Sequence, residues 1–272
     1  MTTTSGLAIV TGASSGIGAE LARQLSARGQ PVLAIGRRGH RLEELSARAR
    51  STGHAAIHPL ELDVTGEGAA LHVRDKARAL GGAAWLVNNA GTTQLGPFLE
   101  GDPAALARLV RLNCESVVAL CAAVVPDLVA RGGGRVLNVA SLAAFQPTPG
   151  HAVYGATKAF VLSLSESLAV ELDGTGVTVT ALCPGPVTTE IFDAGAPGVP
   201  RKKPPFELSA EDCAAYGIAA ADRGAAVVVP TLVSKATAQL SRVLPRAVLR
   251  RLSGRIGLSI IGYESTPRRA RG

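Results

Sequence analysis

The chain has 272 residues, of which 47% are hydrophobic, 18% charged and 3% aromatic, and its formal net charge is +7. This length fits one large α/β domain, and the scarcity of aromatic residues predicts a core of Ala, Val, Leu and Ile. The four cysteines have neither paired C-x-x-C spacing nor accompanying histidines. That pattern argues against a zinc site and a disulfide framework, so we predict no metal and expect reduced, buried thiols.

The N-terminus lacks the basic stretch that begins a signal peptide. No stretch of about 20 residues is both apolar and free of charges, Pro and Gly, which argues against a membrane span. The sequence therefore favours a cytoplasmic protein.

Seven apolar runs alternate with amphipathic segments along residues 1–234. The runs are Ala8 to Val10, Val32 to Ile35, Ala56 to Leu62, Trp85 to Asn88, Val136 to Val139, Val177 to Leu182 and Ala226 to Val229. Strands that alternate with helices through right-handed crossovers form a parallel sheet with helices on both faces. The sequence therefore predicts an α/β fold, with one doubly wound domain built on a seven-stranded parallel sheet.

A glycine turn follows the first apolar run, where Leu7 to Thr11 leads into Gly12-Ala-Ser-Ser-Gly16-Ile-Gly18. Glycine permits a sharp bend and a close approach to phosphate, and a helix beginning at the third glycine would point backbone N–H groups at a pyrophosphate. We therefore predict a dinucleotide site, although the motif alone also fits a simple Gly/Ser-rich loop. The candidate contacts are Gly12, Ser14, Ser15, Gly16, Ile17 and Gly18.

The end of the second apolar run bears on the choice of cofactor. An acidic side chain about 20 residues beyond a glycine turn holds the ribose hydroxyls of NAD. This sequence has Gly36 there, followed by Arg37 and Arg38. Because guanidinium groups match phosphate in charge and geometry, we predict NADP(H) in preference to NAD(H), with Arg37 as the main contact to the 2′-phosphate. A solvated loop carrying both arginines is the alternative.

Tyr154 and Lys158 are four residues apart, which places a phenol and an ammonium on one face of a helix. A positive charge held beside a tyrosine lowers the pKa of its phenol and eases proton donation near neutral pH. The pair is therefore a candidate general acid. An ordinary helix face with a half-buried Tyr and a solvated Lys is the alternative.

Five motifs together resemble the short-chain dehydrogenase/reductase family, in content and in order, from about Gly6 to Thr189. They are Thr11-Gly12-Ala-Ser-Ser-Gly16-Ile-Gly18, Asn88-Asn89-Ala90-Gly91, Ser141, Tyr154-x-x-x-Lys158 and Pro184-Gly185. Each is weak alone, but five in this order leave little room for coincidence. The resemblance implies a Rossmann-type fold and an NAD(P)-dependent oxidoreductase that transfers a hydride between nicotinamide and a carbonyl or secondary alcohol.

The resemblance also implies roles for individual residues. Tyr154 would be the general acid/base, and Lys158 would lower its pKa and hydrogen-bond the nicotinamide ribose. Ser141 would polarise the substrate oxygen, and Asn113 corresponds to an asparagine that supports a water-mediated proton path to the lysine. The implied cofactor contacts beyond the glycine turn are Asp63 and Val64 at the adenine, Asn89, Ala90 and Gly91 at the adenosine ribose, Tyr154, Lys158, Pro184 and Gly185, and Val187 and Thr189 at the nicotinamide carboxamide.

Some of these residues also have plain structural explanations. Asp63 fits a turn at a strand end, Asn88 and Asn89 fit the termination of a strand, and Ser141 fits a cap.

Residues near the substrate are less specific in their pattern. The segment between Ser141 and Tyr154 is mostly small or apolar, which favours a hydrophobic substrate of acyl, steroid-like or other lipid-like character. We expect a lid at about 190–212, whose Arg201-Lys202-Lys203 run fits a solvated cluster better than a site for an anionic thioester carrier. His151 matches no motif role and is interpreted as incidental.

Residues 235–272 form a basic, partly amphipathic C-terminal extension. They contain nine basic residues and one acid, a net of +8, whereas the preceding residues sum to −1. Within 246–261, Leu249, Leu252 and Ile256 share one helical face. This face fits peripheral contact with anionic lipid, although a capping or oligomer-forming helix is slightly favoured. We predict no nucleic-acid binding, because a reading motif and interleaved aromatic residues are both missing.

The leading hypothesis is an NADP-dependent oxidoreductase that forms a homodimer or homotetramer, as members of the resembled family commonly do. A non-catalytic Rossmann protein that binds cofactor as a sensor or scaffold is one alternative. The complete set of Asn113, Ser141, Tyr154 and Lys158 argues against it, because a sensor needs no proton relay. A third hypothesis is a membrane-surface protein that acts through its basic tail.

Overall fold

A computed structural model describes residues 6–190 and 207–260, with only the backbone described for residues 255–260. The strands are β1 (Leu7–Thr11), β2 (Val32–Gly36), β3 (Ile57–Glu61), β4 (Ala83–Asn88), β5 (Gly134–Val139), β6 (Val177–Leu182) and β7 (Val227–Val228). They form one sheet in the order β3-β2-β1-β4-β5-β6-β7, and every neighbouring pair is parallel. The predicted seven-stranded parallel sheet is confirmed.

Helices connect the strands and continue beyond the last one. In the described ranges they are α1 (Gly16–Ala27), α2 (Gly39–Ser51), α3 (Ala69–Ala79), α4 (Pro103–Val110), α5 (Ser116–Ala130), α6 (Ala152–Glu171), α7 (Ala210–Asp222), α8 (Leu232–Val243) and α9 (Arg246–Ile260). Two 3₁₀ turns, Phe98–Glu100 and Leu142–Phe145, follow β4 and β5.

The core lies on both faces of the sheet, because successive side chains of a strand point to opposite sides. In β1, Leu7 and Ile9 belong to one apolar cluster, whereas Ala8 and Val10 belong to the other. Residues of α3, α5 and α6 complete the first cluster, and residues of α1, α2 and α7 complete the second. Strands buried on both faces explain why they read as continuous apolar runs.

A single π-helical turn, Arg111–Glu115, joins α4 to α5. The combined run Pro103–Ala130 is long and apolar enough to cross a membrane, and an 18-residue window within it has a mean hydropathy of 1.7, but 44% of that window is buried inside the fold. Leu120, Val124 and Leu128 pack in the core of the sheet. The run is therefore a core helix, whose apolar residues serve the domain interior.

The described part of the C-terminal extension, residues 235–260, is continuous with the domain. Helix α8 crosses the boundary predicted between residues 234 and 235, and it packs against the Leu142–Phe145 turn. The change in charge at residue 235 therefore does not mark a break in the fold. Most of the predicted lid, residues 191–206 with the Arg201-Lys202-Lys203 run, lies outside the described residues, as do residues 261–272.

Candidate active site

The predicted site residues meet at the carboxyl edge of the sheet. They lie in the segments that follow β1, β2, β3, β4, β5 and β6 and in the helices behind those segments. The strand order reverses between β1 and β4, because the chain runs from β1 through β2 to β3 and then returns to the other side of β1. Such a reversal opens a crevice at the carboxyl ends of the strands, which is where ligands bind in sheets of this kind.

The glycine turn between β1 and α1 needs its glycines. Gly12 and Gly16 have φ angles of +67° and +55°, which other residues adopt at a cost. A methyl group at Gly12 would lie 2.8 Å from Asn89 Nδ2, and one at Gly18 would overlap the Gly12 carbonyl. Ser15 precedes α1 without capping it, and no acidic residue lies in the first turn. The amides that begin α1 are thus left for an anion, which fits a pyrophosphate.

Thr11 and Asn89 hold this turn in place. Thr11 Oγ1 accepts hydrogen bonds of 3.0 Å from the backbone amides of Asn89 and Ala90. Asn89 Nδ2 donates to the carbonyls of Thr11 and Gly12 at 2.9 and 3.3 Å. Asn89 therefore has a structural role in shaping the predicted cofactor cradle, because its amide ties the end of β4 to the glycine turn.

Arg38 lies over the glycine turn, next to an acidic residue. Its Nη2 donates to Ser15 Oγ at 2.6 Å and to Ser14 Oγ at 3.1 Å, and its Nη1 donates to Glu190 Oε2 at 2.8 Å. Arg41 Nη1 donates to both oxygens of Glu190, at 2.7 and 2.9 Å. The two guanidinium groups lower the pKa of the Glu190 carboxyl. Arg38, which contacts the glycine turn, and Arg41 next to it are therefore both paired with the Glu190 carboxylate.

Arg37 has different surroundings from Arg38. It is exposed, and its charge assists two hydrogen bonds from Thr65 in lowering the pKa of Asp63. The Asp63 carboxylate accepts from the Thr65 amide at 2.9 Å and from the Thr65 hydroxyl at 2.7 Å. Asp63 is therefore a turn residue at the end of β3, and Val64 next to it is buried. A methyl group at Gly36 would lie 3.3 Å from Ser14 Oγ, so little room exists there for a side chain.

Ser141 and Tyr154 are brought together between β5 and α6. Ser141 begins the Leu142–Phe145 turn, and its Oγ accepts a hydrogen bond of 3.1 Å from Ala143 N. Burial raises the pKa of Tyr154 and outweighs the influence of the nearby Ser141 side chain, which acts in the opposite direction. The direction is opposite to the lowering that the Tyr–Lys spacing predicts, because desolvation disfavours a phenolate.

Lys158 is buried one helical turn beyond Tyr154. Its Nζ donates to the Val139 carbonyl at 2.7 Å and lies 5.8 Å from the centre of the Tyr154 ring. Burial lowers the pKa of Lys158 to about 8, and the nearby thiols of Cys114 and Cys183 act in the opposite direction. The fold therefore holds the Lys158 side chain beside the Tyr154 phenol, although burial disfavours its charged form.

Asn113 is held in the π-helical turn, a feature that is frequent at functional sites. Its Oδ1 accepts from the Thr92 amide, and its Nδ2 donates to the Thr92 carbonyl and to Thr157 Oγ1, each at 3.0 Å. A methyl group at Gly91 would lie 3.3 Å from Asn113 Oδ1 and 3.6 Å from Lys158 Nζ. The fold thus brings Asn113 into the surroundings of Lys158, while its own amide is engaged with two threonines.

The segment after β6 closes the site from the other side. The Pro184 carbonyl accepts a hydrogen bond of 2.8 Å from the Leu142 amide. Val187 is buried and forms a bridge with Leu208, and a methyl group at Gly16 would lie 3.0 Å from Thr189 Cγ2. The segment therefore lies between the glycine turn and the turn that follows Ser141.

Comparison with known proteins agrees with this geometry. The short chain dehydrogenase family model matches residues 6–197. An uncharacterized oxidoreductase of Myxococcus xanthus is 40% identical over 188 residues, which is 68% of this chain and 73% of that protein. The chain belongs to the short-chain dehydrogenase family.

Two solved structures, one of a short-chain dehydrogenase and one of an alcohol dehydrogenase, are similar to nearly the whole chain. A short-chain dehydrogenase from Sphingobium yanoikuyae, in complex with NADPH, is 32% identical and has a TM-score of 0.78 over 98% of both chains. The bulky-bulky ketone specific alcohol dehydrogenase from Comamonas testosteroni is 29% identical, with a TM-score of 0.75 over 99% of this chain and 98% of its own. The protein is therefore an oxidoreductase of this family, and the resemblance inferred from its motifs is confirmed.

Several residues of this short-chain dehydrogenase site are not apparent from its motifs. Arg41 is three residues beyond Arg38 on the first turn of α2, and the i, i+3 spacing of two arginines could have indicated a shared anion. Glu190 and Thr92 carry no such signal, because their partners are remote in sequence. His151, interpreted as incidental, lies with its ring centre 6.0 Å from that of Tyr154, edge to face, and burial lowers its pKa.

Proposed function

We propose that this short-chain dehydrogenase is an NADP-dependent enzyme that interconverts a hydrophobic carbonyl compound and its alcohol. One observation carries the proposal: the Ser141 side chain lies near enough to the Tyr154 phenol to lower its pKa, and the Lys158 ammonium lies 5.8 Å from the centre of the phenol ring, at the carboxyl edge of the sheet. This grouping provides a hydrogen-bond donor, a proton donor and a positive charge for one oxygen atom.

The residues that would hold the cofactor fit it in shape and charge. The glycine turn offers free amides at the start of α1, and a side chain on Gly12 or Gly18 would fill the cradle. When bound, NADPH would supply the hydride that adds to the substrate carbon in reduction, and NADP⁺ would accept the hydride that leaves it in oxidation. The further contacts proposed are Arg38, Asp63, Val64, Asn89, Ala90, Gly91, Tyr154, Lys158, Pro184, Gly185, Val187 and Thr189.

In the reducing direction, Tyr154 donates its phenolic proton to the substrate oxygen while Ser141 Oγ hydrogen-bonds to the same oxygen. The phenolate that remains is attracted by Lys158. At 5.8 Å and an effective dielectric constant of about 20, the attraction is about 3 kcal/mol, or about two pKa units. This attraction opposes the burial that raises the pKa of the phenol in the free enzyme. Asn113 acts as a positioning residue, through Thr157 and the Thr92 backbone, for the segment that carries Lys158.

The preference for NADP over NAD is proposed from the residues at the end of β2. Gly36 supplies no carboxylate for the ribose hydroxyls, and Arg38 lies within hydrogen-bond distance of Ser14 and Ser15 in the glycine turn. The sequence favours Arg37 for the 2′-phosphate contact, but we assign this contact to Arg38. Arg41 adds a second positive charge to the same position.

A bulky hydrophobic substrate is proposed from the apolar surroundings of Ser141 and Tyr154. The Leu142–Phe145 turn lies on one side. The similar Comamonas testosteroni enzyme is described as specific for bulky-bulky ketones, which supports the same substrate class here.

A homodimer or homotetramer in the cytoplasm completes the proposal. Support for self-association comes from exposed apolar side chains on the long core helices, Val118 and Val129 on α5 and Phe160 on α6.

Replacement of Tyr154 by Phe tests the catalytic role. NADPH binding, followed by its fluorescence, should change by less than about twofold, whereas reduction of bulky ketones should fall by about 10³-fold, because the proton donor is lost. Tyr216→Phe on the exposed surface of α7 is the matched control and should keep full activity. An unchanged rate in Tyr154→Phe would contradict the mechanism. A wild-type protein that binds NADPH but converts no ketone or alcohol of graded size would instead favour a sensor or scaffold.

A further inference from the structure

Helix α8 presents large apolar side chains to solvent. Leu232 and Val243 are 81% and 80% exposed, and Val233 and Leu240 are 51% and 52% exposed. At 100° per residue these four positions fall within one sector of the helix, together with the exposed Ala236. We name Leu232, Val233, Ala236, Leu240 and Val243 the outer face of α8.

The opposite side of α8 is small and partly polar, although it faces the protein. Ser234, Ala238 and Ser241 are buried. Ser234 Oγ accepts from Thr231 Oγ1 at 2.8 Å, and Ser241 Oγ donates to the Ala238 carbonyl at 2.8 Å, so the buried hydroxyls are satisfied locally. The usual arrangement of a surface helix, apolar inside and polar outside, is therefore inverted.

This inversion follows from how closely α8 approaches the active-site segments. A methyl group at Gly185 would lie 2.5 Å from Ser234 Oγ, so only small residues fit between the helix and the segment after β6. The Arg242 guanidinium lies 5.5 Å from the centre of the Phe145 ring and 3.9 Å from Glu166. The helix is thus firmly placed, and its outer face is a property of the fold.

The charged residues of the segment that carries the outer face are all of one sign, and the acid near them, Glu166 beside Arg242, belongs to α6. Between residues 232 and 254 the charged residues are Lys235, Arg242, Arg246, Arg250 and Arg251, with no acid among them. All five are exposed. Two copies that met through this surface about a twofold axis would bring the cations together, which is unfavourable. An anionic surface would instead be attracted by them.

We propose that the outer face of α8 docks on an anionic lipid surface. Exposed apolar side chains lodge in the boundary between headgroups and acyl chains, and flanking Lys and Arg side chains contact the headgroup anions, as in helices that lie in the plane of a membrane. This places the contact on α8 and not only on residues 246–261, where it is predicted from sequence. In α9, Leu249 is buried in the fold, while Val248 and Leu252 are exposed.

The test is cosedimentation of the full-length protein with vesicles. Vesicles of phosphatidylcholine with about one-third phosphatidylserine should bind the wild type, and vesicles of phosphatidylcholine alone should bind it at least about tenfold more weakly. The double variant Leu240→Ser/Val243→Ser should lose binding to anionic vesicles by at least about tenfold. Its turnover of a water-soluble ketone and its circular dichroism should stay unchanged, because both side chains point to solvent.

Matched controls separate this surface from general effects. Val170→Ser removes an exposed apolar side chain at the end of α6 and should bind like the wild type. Lys235→Gln removes a cation of α8 and should weaken binding more than Lys76→Gln on α3. Retained binding in the double variant would overturn the proposal, as would a wild type that binds no vesicles. If the wild type binds no vesicles but forms a dimer that the double variant disrupts, the outer face would instead be a contact between two copies of the chain. Neither result depends on the oxidoreductase activity.

Discussion

Replacement of Lys158 by Met should stabilise the fold while abolishing catalysis. Lys158 is buried, and burial lowers its pKa from 10.5 to about 8. At neutral pH the folded protein must keep this ammonium away from water, at a cost of about 3 kcal/mol relative to the unfolded chain. Methionine has a similar length without the charge. The substitution also removes the hydrogen bond from Lys158 to the Val139 carbonyl, which costs about 1 kcal/mol. We therefore expect the free energy of unfolding to increase by about 2 kcal/mol.

The pH dependence of this gain identifies its cause. Between the folded and unfolded pKa values of Lys158, the unfolded chain holds a proton that the folded chain does not. Wild-type stability attributable to this group should therefore rise as the pH increases from about 8 to about 10.5. The advantage of Lys158→Met should be full near pH 7 and nearly absent near pH 10.

Urea unfolding of both proteins at these two pH values measures the difference directly. In a thermal scan near neutral pH, the variant should melt roughly 4–8 °C higher than the wild type. Lys76→Met, at an exposed position of α3, is the matched control and should change the free energy of unfolding by less than about 0.5 kcal/mol at either pH. A destabilised Lys158→Met variant, or a gain that does not shrink at high pH, would refute the assigned cost of burial.

The cofactor site allows two further predictions. Arg38→Ala should raise the Kd of NADPH by about 10- to 100-fold and that of NADH by less than about twofold, because a charge-assisted contact to phosphate is lost. Arg37→Ala should raise the Kd of NADPH much less. Equal effects of the two variants would contradict the assignment of the 2′-phosphate contact to Arg38. Glu190→Gln should lower the Kd of NADPH by roughly 3- to 10-fold, because the carboxylate no longer competes for Arg38 and Arg41, whose ion pairs with it are partly solvent-screened. Glu211→Gln, which removes another exposed, ion-paired carboxylate, is the control and should leave the Kd of NADPH unchanged. Weaker NADPH binding in Glu190→Gln would instead mean that Glu190 assists cofactor binding.

The fold and the outline of the site are predictable because their signals are local. Alternation of apolar runs with amphipathic segments indicates the doubly wound sheet, and the glycine turn marks where the backbone must bend and approach a ligand. Carboxyl ends of parallel strands meet at one edge, so residues that follow different strands are expected to converge. Ser141 and Tyr154 do converge there, in separate segments of the chain.

Other features depend on neighbours that no spacing reveals. Arg37 and Arg38 are alike in sequence, and only the path from β2 into α2, with Arg38 at the start of that helix, brings Arg38 to the glycine turn. Glu190 meets it from a distant part of the chain. Likewise, the spacing of Tyr154 and Lys158 indicates an attraction, but not the desolvation that raises the pKa of one and lowers that of the other.

The sequence by itself determined the family, the glycine turn, the pairing of a tyrosine and a lysine as the candidate acid and its neighbour, and the positive charge of the C-terminal extension. Only the tertiary structure decided which way the side chains of that extension face. Leu249 is buried, whereas Leu240 and Val243 face outward, because small residues of α8 must fit against Gly185 and the turn after Ser141. Residue types and spacings are written along the chain, but close approach and exclusion of water arise only between segments that folding brings together.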